Sequence, residues 1–175
     1  MILLLLGPSG AGKKTFKVAC KDHGIRIIKS YTTKPLKTPK DAEVYQQVTN
    51  DQFKKLIAED AMLEWVEYAG HKYGTLRNDF TKNCVTIVDT TAYYKLKEYY
   101  KGKVFTIYFD MSDEARRKTC LDRGEDLDLV EKKIKADNEK LKHFNKSQVD
   151  LVLTDKDIGR FDEIIKENRS KWVVR

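Results

Sequence analysis

The residues that speak most directly of chemistry form the run Gly7-Pro8-Ser9-Gly10-Ala11-Gly12-Lys13-Lys14-Thr15, which places Gly7, Gly12 and Lys13 at the spacing Gly-x-x-x-x-Gly-Lys. Glycines lack a Cβ, so a turn built from them can aim several backbone N–H groups at one anion. A helix that begins where the turn ends adds the positive end of its dipole. The lysine then reaches the outer phosphates of a triphosphate, and a nearby hydroxyl can serve a magnesium ion. Ser or Thr usually follows that lysine; here the position is Lys14, and Thr15 is the next hydroxyl and the candidate metal contact. The amides of Ser9, Gly10, Ala11, Gly12, Lys13, Lys14 and Thr15 are the expected cradle for a donor such as ATP. A glycine turn beside a buried strand can also be purely structural, but the lysine and the flanking elements agree with phosphate binding.

Those flanking elements must hold the loop in place. Ile2-Leu3-Leu4-Leu5-Leu6 reads as a buried strand, and residues 13–22 as a helix closed by His23-Gly24. Further strands are expected at 25–28, 62–68, 84–88, 104–109 and 151–153. Helices are expected at 50–59 (capped by Thr49 or Asn50), 91–100, 112–121 (capped by Ser112) and 127–144, with a last one around Phe161, Ile164 and Ile165. The stretch holding Pro35 and Pro39 is polar and loop-like. Apolar strands alternating with helices predict an α/β fold with a central parallel sheet covered on both faces. Ligands of such sheets lie beyond the carboxyl ends of the strands, where the glycine loop falls.

Composition sets the bounds. The chain has 175 residues, 41% of them hydrophobic and 35% charged, with a net charge of +7. That size suits one domain with a substantial core. The positive balance fits polyanionic ligands, but the charges are spread along the chain, so a solvated surface explains most of them and nucleic-acid binding is not expected. Cys20, Cys84 and Cys120 are odd in number and lack metal-ligand spacing, which points to reduced thiols in a cytoplasmic protein. The apolar start is far too short for a membrane span and leads straight into the loop, so no signal peptide is expected.

Three segments together resemble the guanylate kinase family: the glycine loop, the run Ser30-Tyr31-Thr32-Thr33-Lys34, and Met62-Leu63-Glu64-Trp65 followed by Tyr73-Gly74-Thr75. The resemblance covers nearly the whole chain. It implies a P-loop three-layer α/β/α core with a mononucleotide-binding insertion and a helical lid, in one domain: core 1–30, 81–122 and 145–175, insertion 31–80, lid 123–144. It implies transfer of the γ-phosphate of ATP to GMP or dGMP, with Mg²⁺. It places Lys34, Lys37, Tyr45 and Tyr73 on the acceptor phosphate, and Glu64 on the guanine edge with Ser30 and Thr75 beside it. Asp89 meets the acceptor nucleoside, or Mg²⁺ through water. Lys13, Arg123 and Lys133 are the implied catalytic cations. Each has a plainer rival: tyrosines that only pack, a surface carboxylate at Glu64, a helix cap at Asp89, solvated lysines at 34 and 37.

The chain also departs from the family. Lys34, Lys37 and Lys133 stand where the resemblance implies arginines, and Thr119 replaces another. Lysine keeps the charge but loses the planar fork. Leu76 stands in place of a serine that would bond guanine, Ile87 replaces the first acidic residue of a strand-end pair, and Thr154 replaces an asparagine near the donor adenine. Two alternatives therefore stay open: a kinase for another monophosphate, and a non-catalytic binding module that reuses the fold. Oligomeric state is not legible.

Overall fold

The computed structural model describes residues 1–68 and 70–173. Val174 and Arg175, the end of the expected core, and Ala69 in the insertion lie outside the described residues. At the centre runs β1 (Ile2–Leu6), every residue of which is buried. A strand apolar on both sides belongs between two covering layers. It pairs in parallel with β7 (Cys84–Ile87) on one flank and β8 (Val104–Asp110) on the other. β2 (Arg26–Ile27) and β9 (Leu151–Thr154) extend the sheet to the order β2-β7-β1-β8-β9, parallel throughout. This is the expected α/β architecture.

Strand alternation sorts the core into two halves. Leu3 and Leu5 pack with Phe16 and Cys20 of α1 (Lys13–Asp22) and with Ile164, Ile165 and Trp172 of α7 (Phe161–Trp172). Ile2, Leu4 and Leu6 pack with Tyr93 and Leu96 of α4 (Thr90–Tyr99). Each buried leucine contributes about 1.5–3 kcal/mol, so this strand anchors the loop that follows it.

A second sheet holds β4 (Tyr45–Gln47), β3 (Ser30–Thr32), β6 (His71–Leu76) and β5 (Met62–Tyr68) in the order β4-β3-β6-β5. Of these, only β5 is foreseen by alternation. The stretch read as a loop around the prolines carries α2 (Pro39–Val44). Pro39 starts that helix rather than breaking it, since its missing N–H is an orphan of the first turn anyway. Thr38 and Asp41 close a capping box around it. α3 (Asn50–Ala58) carries the same device in Thr49 and Gln52, and its Phe53 packs edge-on to Trp65 at 6.4 Å.

α5 (Asp113–Leu121) is capped by Ser112, as expected, and α6 (Leu127–Leu141) by Asp126. α6 ends three residues earlier than its polar periodicity suggests. Phe144 leaves the helix to stack on Tyr108 at 5.3 Å and to meet Tyr93. No helix among the described residues is long and apolar enough to cross a membrane.

Candidate active site

The loop between β1 and α1 turns on glycines where nothing else fits. Gly12 caps α1 at φ +87°. Gly10 has φ +77°, and a Cβ there would lie 2.8 Å from the Arg116 carbonyl oxygen. Lys13, on the first turn of α1, folds back over the loop. Its ammonium donates to the Gly7 carbonyl at 2.6 Å and to that of Pro8. Burial is the main reason its pKa falls to about 8, against the opposing pull of Asp137. The amide of Ser9 donates to Asp137 Oδ2 of α6 at 2.7 Å, so one loop N–H already holds a carboxylate oxygen.

Arg116 of α5 ties this corner together. It is 1% exposed. Its Nε donates to the Ser9 carbonyl, Nη1 to Asp113 and Asn138, and Nη2 to Asp137. The loop, α5 and α6 thus meet on one guanidinium, a partnership that satisfies an otherwise costly buried charge.

A cleft of about 280 Å³ opens between the two sheets. Lys13 and Ser9 line it from the loop, Ser30, Tyr45, Glu64 and Tyr73 from the second sheet, and Asp89 from the end of β7. Glu64 and Thr75 face each other across β5 and β6, and the Thr75 hydroxyl donates to Glu64 Oε1 at 2.7 Å. Burial raises the Glu64 pKa more than that hydrogen bond lowers it. Gly74 is fixed here by close approach, since a Cβ would lie 2.9 Å from the Glu64 carbonyl oxygen.

Beside the cleft, a smaller recess of about 70 Å³ gathers Lys34, Lys37, Tyr45 and Tyr73. The two tyrosine rings meet edge to face at 6.1 Å. Two cations and two phenols converging on one space form a donor set for a dianion. Lys14 does not plug the loop: its ammonium pairs with Asp41 of α2 at 2.5 Å and holds that carboxyl down to about 2.

Other expected residues fall elsewhere. Asp89 does two things at once: Oδ1 caps α4 through the Ala92 amide at 2.8 Å, and Oδ2 faces Lys140 at 3.6 Å across the cleft. Arg123 follows α5, close enough to Lys13 to press on its charge. Lys133 pairs with Glu125 between α5 and α6 and does not line the cleft. Leu76 pairs with Met62 at the far end of the hairpin and is also off the cleft, whereas Ile87 lines it. Thr15 opens instead on a second cavity of about 330 Å³, on the other side of the loop, with Thr119, Ile158 and Phe161. Thr154 is engaged with Asp157 and does not line that cavity.

Among the described residues, no three His, Cys, Asp or Glu side chains converge as a metal cage. Magnesium does not need one, since it rests largely on substrate phosphate oxygens and water. Asp89 lines the first cleft and Thr15 the second cavity, so the structure does not bring these two expected metal contacts into one space. Arg116, Asp137 and Lys17 are the site residues that sequence reasoning did not assign. Asp137 stands 128 positions from the Ser9 amide it meets, and no local pattern announces such a pairing. Lys17 did carry a signal, a charge one turn after Lys13 on the same helix face.

Comparison with known proteins places the chain in a family and a fold. A family model described as guanylate kinase matches residues 1–170. The guanylate kinase of Caldanaerobacter subterraneus subsp. tengcongensis is 31% identical over 176 aligned residues, spanning 95% of this chain and 84% of that protein. That of Schizosaccharomyces pombe is 42% identical over 77 residues, 42% of this chain and 38% of that one. Among solved structures, a guanylate kinase from Anaplasma phagocytophilum has a TM-score of 0.70 at 21% identity, covering 99% of this chain and 87% of its own. A shikimate kinase from Acinetobacter baumannii has a TM-score of 0.52 at 14% identity, over 97% and 91%. The two structural likenesses speak for the fold.

Proposed function

The chain belongs to the guanylate kinase family, the ATP:GMP phosphotransferases, and we propose that it carries the γ-phosphate of ATP to GMP or dGMP with its own residues in the following roles. The observation that supports this most is that Lys13 and Glu64 line one cleft. A phosphate-binding ammonium and a half-buried carboxylate that can accept from the guanine N1–H and 2-amino group face each other across the space of a mononucleotide.

The donor triphosphate lies on the amides of Ser9 to Thr15, with Lys13 released from the Gly7 and Pro8 carbonyls onto the β and γ oxygens. The donor nucleoside takes the second cavity, beside Thr15 and Thr119. Lys34, Lys37, Tyr45 and Tyr73 hold the acceptor phosphate, and Ser30 and Thr75 hold the base edge with Glu64. Positioning and charge neutralisation supply most of the catalysis in this kind of transfer. Mg²⁺ bound with ATP would supply further neutralisation of the triphosphate charge. Asp89, through water, or Thr15 is the residue here that would meet it.

Residues 31–80 act as the acceptor-binding part and 123–144 as a lid that excludes water, bringing Arg123 toward the phosphates. Lys133 reaches them only by leaving Glu125. The three cysteines are free and buried, which fits a reducing cytoplasm.

A coupled ADP-release assay with a panel of monophosphates tests the acceptor. GMP and dGMP are expected to outrun AMP by at least ~10⁴ in kcat/KM, because adenine leaves Glu64 unpaired. One observation favours a different acceptor: Ile87 presents an apolar face to the cleft where an acid was expected. A panel led by any other monophosphate would establish that reading instead.

A further inference from the structure

Lys17 is a second ammonium that α1 turns into the cleft. It stands one helical turn beyond Lys13, so the two share a face with Cβ atoms about 5–6 Å apart. Both line the cleft. Lys17 is 1% exposed, and among the described residues its ammonium makes no hydrogen bond and no ion pair. Lysine is rarely buried so fully without a partner, because a charge taken from water needs another to meet it.

The groups around the cleft do not meet it. Lys14 and Lys13, on the same helix, carry its own sign. Asp41 is held by Lys14 at 2.5 Å. Glu64 accepts from Thr75, Asp89 faces Lys140, and Asp137 is shared by Ser9 and Arg116. Burial pushes the Lys17 ammonium down to about 7, so with no carboxylate to meet it the group holds its full charge only when an anion enters the cleft.

The position of Lys17 selects which ligand. The donor phosphates belong to the loop amides and Lys13, at the start of α1. Lys17 lies a turn further along, between Lys14, whose ammonium sits 5.9 Å over the Tyr45 ring, and Lys21, which pairs with Glu43 of α2, so this stretch of α1 faces α2 and the start of β4. We propose that Lys17 binds the phosphate of the acceptor mononucleotide. The core helix α1 then supplies an ammonium to that phosphate in addition to those of the second sheet, and Lys13 and Lys17 flank the point where the two substrates' phosphates meet. Lys34 and Lys37 offer single ammoniums rather than bidentate forks, so a further buried cation strengthens the same subsite.

This inference rests on the kinase reading above, and the test separates the two. GMP, guanosine and ATP are titrated calorimetrically into the wild-type chain, Lys17→Met and Lys17→Gln, each checked for an intact thermal transition. Both variants are expected to bind GMP about 10- to 100-fold more weakly, the range for losing one charge-assisted hydrogen bond. Guanosine, which has no phosphate, and ATP are expected to bind as they do to the wild type. Unchanged GMP affinity, or equal losses for GMP and guanosine, would overturn the assignment of Lys17. A wild-type chain that binds ATP but neither GMP nor guanosine would overturn the acceptor reading, and this inference with it.

Discussion

Asp137 Oδ2 accepts from the Ser9 amide at 2.7 Å, so a carboxylate of α6 rests on the glycine loop where a phosphate oxygen is due. The same oxygen accepts from Arg116 Nη2 at 3.2 Å. ATP must displace this internal anion. Asp137→Asn keeps an acceptor for Arg116 but removes the negative charge. It is expected to tighten ATP binding about tenfold, or about 1.4 kcal/mol, while lowering the melting temperature. Calorimetry and thermal unfolding of the one variant check both halves. Weaker ATP binding would show that Asp137 supports the donor site rather than competing for it.

Arg116 and Arg117 are neighbours in sequence with opposite fates. The first is buried among Ser9, Asp113, Asp137 and Asn138, and the second pairs with Glu131 at the surface. Arg116→Ala empties a buried site and strips the Ser9 carbonyl, Asn138 and two partly exposed carboxylates of their shared donor, and is expected to cost about 2–3 kcal/mol. Arg117→Ala is expected to leave the denaturation midpoint within scatter, since exposed pairs contribute little. Urea unfolding of the pair is the measurement, and similar losses would contradict the buried clamp.

Glu64 gives the acceptor site a pH dependence. Burial raises its pKa, so the protonated form is already present at pH values above the ordinary carboxylate range. Protonation turns an acceptor for the guanine edge into a donor. KM for GMP is expected to climb as pH falls toward 5 more steeply in the wild type than in Glu64→Gln. The acceptor's own phosphate also titrates near pH 6, but equally for both proteins, so the ratio of the two KM profiles isolates Glu64. A flat ratio would remove Glu64 from the base edge. At neutral pH, Glu64→Gln is expected to lower kcat/KM for GMP by at least about tenfold.

The parallel sheet was legible because its strands are apolar on both faces: five consecutive buried residues in β1 admit no other place. The capped helices were legible for a local reason as well, since Thr49, Asp89 and Ser112 each accept from an amide three residues on. The second sheet was not. β4 is polar, β6 contains Gly74, and both exist only through their long-range partners. Among the site residues, Glu64, Thr75, Tyr45, Tyr73, Lys34 and Lys37 came from the family resemblance; the fold gathers all but Thr75 at one cleft and its adjoining recess, and Thr75 joins them through its hydrogen bond to Glu64. Lys133 came from the same source, yet it pairs with Glu125 just ahead of α6 and does not line the cleft. Arg116 and Asp137 act through tertiary contacts between α5, α6 and the loop, and a single sequence does not encode such contacts in any short window.

The central claim is that Lys13 and its loop hold a triphosphate whose outer phosphoryl passes to a mononucleotide in the cleft. A single-turnover reaction with γ-labelled ATP, Mg²⁺ and GMP tests it most directly. The label is expected in GDP rather than in inorganic phosphate, and Lys13→Ala is expected to slow its arrival about 10²- to 10³-fold. Label recovered only as inorganic phosphate, or transfer that proceeds undiminished in Lys13→Ala, would contradict it.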